Sequence, residues 1–168
     1  MTALQLPGLQ QPAGSQVRHR SDPAARALAD RHYYRGRPGA PWVGPPGRLL
    51  VLVTGNEAAL WVTHWPRADL AQDGLDARRC SLFRNEGPGR SSALIMLAMV
   101  TTLGWWAVAR PGSPWWTVLP ADGWVTWVDP RRVASPNPGY CFQRPGWTRD
   151  RSWTHRHPIR LRAQVTGR

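Results

Sequence analysis

Arg84-Asn85-Glu86-Gly87-Pro88-Gly89-Arg90-Ser91-Ser92 follows a strand-like run, Arg79-Cys80-Ser81-Leu82-Phe83, and leads into a long apolar stretch that predicts a helix from near Ser92. Glycines between a strand and a helix start let the backbone approach an anion closely. The unpaired N–H groups and the positive end of the helix then face that anion. Arg84 and Arg90 would add charge-assisted contacts. Pro88 subtracts from this picture, having no N–H to offer. Plain loop punctuation produces the same Gly-Pro-Gly spacing, so the pattern alone does not separate a phosphate loop from a simple turn.

The chain reads outward from this loop as one domain. Residues 1–20, rich in Gln, Pro, Gly and Arg, predict a mobile tail, and residues 21–168 a single folded unit. Ser21-Asp22-Pro23 reads as a helix cap with proline near the first position, opening a short helix through Ala24 to His32. Residues 35–47 are a Gly/Pro-rich loop around Trp42. Residues 48–54 and 58–63 read as strands, joined by a two-residue hairpin at Gly55-Asn56. After a polar loop come the strand and loop quoted above, then the helix. A second Pro-rich loop carries Trp115-Trp116. A strand at 124–128, a short helix near 139–144 and one or two strands between Trp147 and Val165 complete the order. Such an order predicts an α+β fold with a mixed, mostly antiparallel sheet flanked by helices.

Composition narrows the partners. The 168 residues contain 22 arginines and no lysine against 10 acids, a net charge of +12. A compact body of this charge attracts polyanions; nucleic acid is the commonest, a membrane surface the next. All-arginine usage by itself fits a GC-rich genome. Two cysteines, Cys80 and Cys141, are too few for a disulfide framework or a four-thiolate zinc site. They read as reduced thiols in a cytoplasmic protein. Residues 1–16 show no signal peptide. Ala93 to Ala109 carries no formal charge and is slightly short for a membrane span. The capping serines before it favour a globular helix, so no membrane partner is expected.

A second stretch lies about fifty residues on. Asn137-Pro138-Gly139-Tyr140-Cys141-Phe142-Gln143-Arg144-Pro145-Gly146-Trp147 follows Trp124-Val125-Thr126-Trp127-Val128-Asp129-Pro130. Strand, Asn-Pro turn, short helix and Gly-aromatic resemble the segment that closes the acyl-CoA cleft of GNAT (Gcn5-related) N-acyltransferases. Arg-x-x-Gly-x-Gly at Arg84–Gly89 is similar to their pyrophosphate loop. Phe83–Gly87, Ser91-Ser92, Trp127–Pro130, Asn137–Phe142 and Gly146-Trp147, with His32-Tyr33 upstream, resemble more narrowly the phage Mom-type DNA-modification proteins, a divergent GNAT branch. The resemblance covers residues 31–150. It implies a GNAT-like sheet whose cleft is lined by residues 80–86 and 125–129.

The resemblance also implies chemistry. His32, Tyr33, Asp129 and Tyr140 are the expected catalytic residues. Arg84, Gly87, Gly89, Arg90, Ser91 and Ser92 would hold an acetyl-CoA or related acyl donor. His32 and Asp129 are the candidates for an iron centre (Fe2+). Double-stranded DNA would be the substrate and the exocyclic amine of adenine the acceptor. The simpler readings stay open: Asp129-Pro130 as a strand terminator, His32 as a helix-end histidine, the serines as caps, Glu86 as a partner of Arg84 or Arg90. Phe142 stands nearest the position where ordinary members of the family carry a proton-donating tyrosine, and Tyr140 lies about 200° around a helix from it. His155-x-His157 could place two imidazoles on one strand face, without a third ligand in view. Trp42, Trp115 and Trp116 are candidates for stacking on extruded bases. Two other functions fit the same residues: an acetyl-CoA-dependent N-acetyltransferase acting on a small amine or a protein, and a catalytically silent DNA-binding protein.

Overall fold

In a computed structural model, described for residues 14–108, 119–153 and 158–164, the chain forms the expected α+β fold. Strands β1 (Ser15–Arg18), β2 (Leu49–Thr54), β3 (Ala59–His64), β4 (Arg78–Asn85), β5 (Trp124–Val128), β6 (Thr148–Arg149) and β7 (Ile159–Ala163) build one sheet in the order β1-β2-β3-β4-β5-β7-β6. Every neighbouring pair is antiparallel except β4 and β5, which run parallel. Helices α1 (Pro23–Asp30), α2 (Ser91–Val108) and α3 (Tyr140–Gln143) flank the sheet.

The two sheet faces follow from alternation along the strands. Leu50 and Leu52 of β2 face α2 and α3, where Trp61, Ile95, Ala98, Trp124, Phe142, Trp147 and Leu161 complete one core. Val51 and Val53 face the other way, onto Ala25, Leu28 and Ala29 of α1 and onto Leu60, Val62 and Leu82. Asp22 caps α1 through its side chain with Pro23 at the first helical position, as the sequence predicts.

Several boundaries differ from the sequence reading. Residues 15–18 lie within the stretch read as a mobile tail, yet pair with Val51–Thr54 as an edge strand. Tail-like Gln, Pro and Arg composition hides a strand whose main contribution is backbone hydrogen bonding. The β2–β3 connection spans residues 55–58, not two residues. Thr54 Oγ1 accepts from the amides of Ala58 and Ala59, and Glu57 sits at φ 54°, which closes the longer turn. Trp115, Trp116, His155 and His157 lie outside the described residues.

The apolar helix α2 starts at Ser91. It is long and apolar enough to cross a membrane, and 17% of its residues are buried. Ile95, Ala98 and Thr102 pack inward, while Met96 and Val100 face outward. Thr102 Oγ1 returns a hydrogen bond to the Ala98 carbonyl and receives one from the Trp61 indole, tying the helix to β3.

What positions the site is the parting of β4 from β5. Their ladder runs from Arg78–Trp124 to Cys80–Thr126 and ends there. On its other edge β4 carries a bulge: Val62 pairs with Leu82 but Thr63 with Cys80, so Ser81 is the extra residue. A bulge bends its strand and increases its twist. The bend falls one residue beyond the last β4–β5 rung, and the Thr126 hydroxyl closes that rung on the Cys80 carbonyl at 2.9 Å.

Candidate functional site

The opening between β4 and β5 is a pocket of about 150 Å³. Cys80 to Phe83 and Thr126 to Val128 form its strand walls. His32, Tyr33 and Tyr34 close it from the α1 side. Val133, Gly139, Cys141 and Phe142 close it from the α3 side. It therefore lies where the sheet parts, between the two layers. These walls agree with the cleft expected at residues 80–86 and 125–129, except that Arg84–Glu86, Val125 and Asp129 do not line it.

Six of its fourteen lining residues carry rings: His32, Tyr33, Tyr34, Phe83, Trp127 and Phe142. Phe83 and Phe142 meet edge-on at 6.0 Å between ring centres, and Phe142 meets Trp147 edge-on at 5.1 Å. Trp147 is itself anchored through its indole N–H to the Met99 sulfur. Gly139 has φ 84°, and a Cβ there would stand 2.8 Å from Leu161 Cδ1. This position thus requires glycine on two counts: its backbone conformation and the lack of room. The thiols of Cys80 and Cys141 are pushed up by burial and stay protonated near neutrality, so they serve as wall rather than nucleophile.

Three consecutive rings form the α1-side wall. His32 and Tyr33 stack at 4.4 Å, and Tyr33 and Tyr34 lie 4.5 Å apart. His32 Nδ1 accepts the Tyr34 amide at 3.2 Å. The ring also donates to the carbonyl of Phe83. With Nδ1 accepting, Nε2 must carry that proton. Burial, and then the Arg84 guanidinium, lower the His32 pKa to about 4. The imidazole is thus neutral at pH 7 with both nitrogens engaged, an arrangement that positions rather than abstracts.

Tyr33 joins the wall to β5. Its phenol oxygen accepts the backbone N–H of Asp129 and interacts with the Tyr34 hydroxyl. Burial raises both phenols, so both keep their protons at neutral pH. Asp129 is 6% exposed. Its Oδ1 accepts from the backbone and the Nε of Arg131, both at 3.0 Å, and its Oδ2 from Arg131 Nη2 at 2.9 Å. The carboxylate is directed at its own turn, and what meets Tyr33 is the Asp129 backbone.

Of the four residues expected to converge, His32, Tyr33 and Asp129 are brought together, Tyr33 bridging the other two. Tyr140 is not. It is 49% exposed on the outer side of α3, with Arg144 over its ring at 6.0 Å, while Phe142 fills the inner side. Successive helical residues turn by about 100°, which sends these two apart. His32 and Asp129 do not fit a metal centre, because both imidazole nitrogens and both carboxylate oxygens have protein partners. Among the described residues no group of three or more His, Cys, Asp or Glu could hold a metal ion.

The loop before α2 divides into two halves. In the first, Asn85 is the organiser, a role the sequence pattern does not reveal. Its Oδ1 accepts the Gly87 amide, and its Nδ2 donates to the Gly89 carbonyl and Ser91 Oγ. Arg84 donates to Glu86 and to the Arg31 carbonyl, and Arg31 grips both Glu86 oxygens at 2.8 Å. The two guanidiniums lower the Glu86 pKa to about 2. Arg84 and Gly87, both expected to meet an anion, are thereby committed to joining this loop to the end of α1. A Cβ on Gly87 would come within 3.0 Å of Ala58, so this glycine serves close packing on the β2–β3 turn.

The second half remains available. The first helical bond runs from the Leu94 amide to the Arg90 carbonyl, so Ser91 and Ser92 lie in the first turn of α2 rather than capping it. Arg90 is exposed and makes no ion pair among the described residues. Gly89, Arg90 and the first-turn amides are the groups that fit a pyrophosphate. The chain matches no protein-family model, no curated protein and no solved structure.

Proposed function

We propose that this chain is a transferase that adds an acyl-derived group to the exocyclic amine of adenine in DNA. The observation that carries the reading is the aromatic-walled pocket at the parting of parallel strands, set in a chain of charge +12. At about 150 Å³ it is smaller than the roughly 300–1,000 Å³ of drug-sized ligand sites and suits a single planar group. Reaching it requires a base to leave its stack, as enzymes acting on bases in DNA require. Arginines would hold phosphates, and the aromatic walls the base. The GNAT-like element order and the loop before α2 support an acyl donor with a pyrophosphate on Gly89, Arg90 and α2.

In such a transfer the amine nitrogen bonds to the donor's carbonyl carbon. The carbonyl–sulfur bond breaks, one amine proton is released and the leaving thiolate takes up a proton. Phe142 cannot supply that proton. Of the hydroxyls lining the pocket, those of Ser81 and Thr126 are donated to the Val62 and Cys80 carbonyls; the phenols of Tyr33 and Tyr34 are both protonated at neutral pH, and the Asp129 N–H fixes the first of them. His32 and Asp129 act as positioning groups for Tyr33.

The test is the nucleoside composition of DNA from cells expressing the protein, read by mass spectrometry. A new adenosine-derived mass is expected, and unchanged nucleosides would overturn the reading. The same measurement separates it from an acetyl-CoA-dependent N-acetyltransferase acting on a small amine or protein, and from a silent DNA-binding protein.

A further inference from the structure

We infer that the outer face of α3, with Tyr140 and Arg144 at its centre and Arg132 beside the pocket, binds unpaired nucleic-acid strand next to the base held in the pocket. The inference rests on the reading that the pocket takes a base lifted from its stack. Tyr140 stands between Gly139 and Cys141, which both line the pocket, yet its own ring faces solvent and is 49% exposed. Half-exposed tyrosine on a one-turn helix gains little from burial here, because Phe142 and Trp147 already fill the core side. Arg144 holds one side of the ring at 6.0 Å, near the limit of a cation–π contact. Arg132 stands 5.7 Å from the Tyr33 ring, which itself lines the pocket.

Arg132 and Arg144 are exposed, and neither forms an ion pair among the described residues, whereas Arg131, the residue just before Arg132, is held by Asp129. Their charges are thus available to phosphate. Aromatic rings that accept successive bases, interleaved with guanidiniums that accept the backbone, are how single strands are bound without sequence preference. A duplex has no unstacked base to offer Tyr140, so the surface favours a strand that is already open.

The experiment is fluorescence anisotropy of a labelled mixed-sequence single-stranded oligonucleotide and of a hairpin duplex, at one fixed salt concentration. Wild type should bind the single strand at least as tightly as the duplex. Tyr140→Ala should weaken single-strand binding by about 5- to 150-fold, the effect of one lost base stack, and change duplex binding by less than about 2-fold. Tyr140→Phe, which keeps the ring, should bind like wild type. Arg144→Ala should weaken both, because a phosphate contact is common to single strand and duplex. Unaltered tryptophan emission checks that each variant is folded. Single-strand binding by Tyr140→Ala within about 2-fold of wild type would overturn the inference, as would Tyr140→Phe losing as much as Tyr140→Ala, or wild type ignoring single strands. A modified nucleoside with no Tyr140 effect would reject this inference and leave the transferase reading standing. Tyr140-dependent single-strand binding without any modified nucleoside would do the reverse.

Discussion

Asp129→Asn decides between two roles for a carboxylate at the end of β5. Asparagine keeps the size and one acceptor oxygen, so the bond from the Arg131 amide survives. The second oxygen becomes an NH2 group that meets the Arg131 guanidinium donor to donor. The loss is one charge-assisted hydrogen bond, in a class contributing about 1.5–3 kcal/mol. Because the Arg131 side chain is 65% exposed, solvent screening reduces that figure toward surface-pair values of about 0–1 kcal/mol. A net destabilisation of about 1–2 kcal/mol follows. Urea unfolding followed by tryptophan fluorescence measures it, and in a double-mutant cycle with Arg131→Ala the two losses should be less than additive. The turn also holds the Asp129 N–H on Tyr33, so modification should fall in step with loosening of the turn and be partly restored at lower temperature. A variant as stable as wild type that nevertheless loses modification 100-fold or more, at every temperature, would refute the positioning role and make Asp129 a general base.

Two further outcomes test the site's construction. Gly139→Ala should cost about 2–5 kcal/mol, combining about 1–2 for left-handed backbone with about 1–3 for overlap on Leu161; Gly146→Ala, at φ 101° with nothing within 4 Å, should cost only the first part, and equal values in urea unfolding would contradict the packing described. The folded pKa of His32, about 4, lies below its unfolded value, so the unfolded chain binds more protons between these pKa values and stability should decline as pH falls from about 6.5 toward 4. The contribution is on the order of 1–3 kcal/mol, reduced by partial exposure, and His32→Asn should flatten that decline in unfolding curves across the window.

Much of the fold was legible because β2, β3 and β5 are built from β-branched and aromatic runs, and Asp22-Pro23 is a local helix-start signal. β1 was not, since an edge strand held by backbone bonds needs no such composition. The parting of β4 from β5 could be expected only through resemblance; its visible cause, the extra residue Ser81, depends on register with β3, which no local pattern specifies. Tyr140 and Phe142 were separable in advance from helical geometry alone. Tyr34 and Asn85 were missed because their roles come from partners: a ring stack across the pocket mouth, and three loop groups that converge only after folding. Arg84 read as an anion ligand because sequence shows a free guanidinium, while Arg31 and Glu86, 55 residues apart, claim it in space.

The central claim is that the pocket between β4 and β5 receives the base. Val133 lines it from a loop and is half-buried, so Val133→Trp should plug it while leaving the sheet and the arginine surface in place. DNA from cells expressing wild type or Val133→Trp, digested to nucleosides and weighed, gives the most direct answer. The account predicts a new adenosine-derived mass with wild type and its loss in a folded, DNA-binding Val133→Trp protein. Equal modification by both proteins would contradict it.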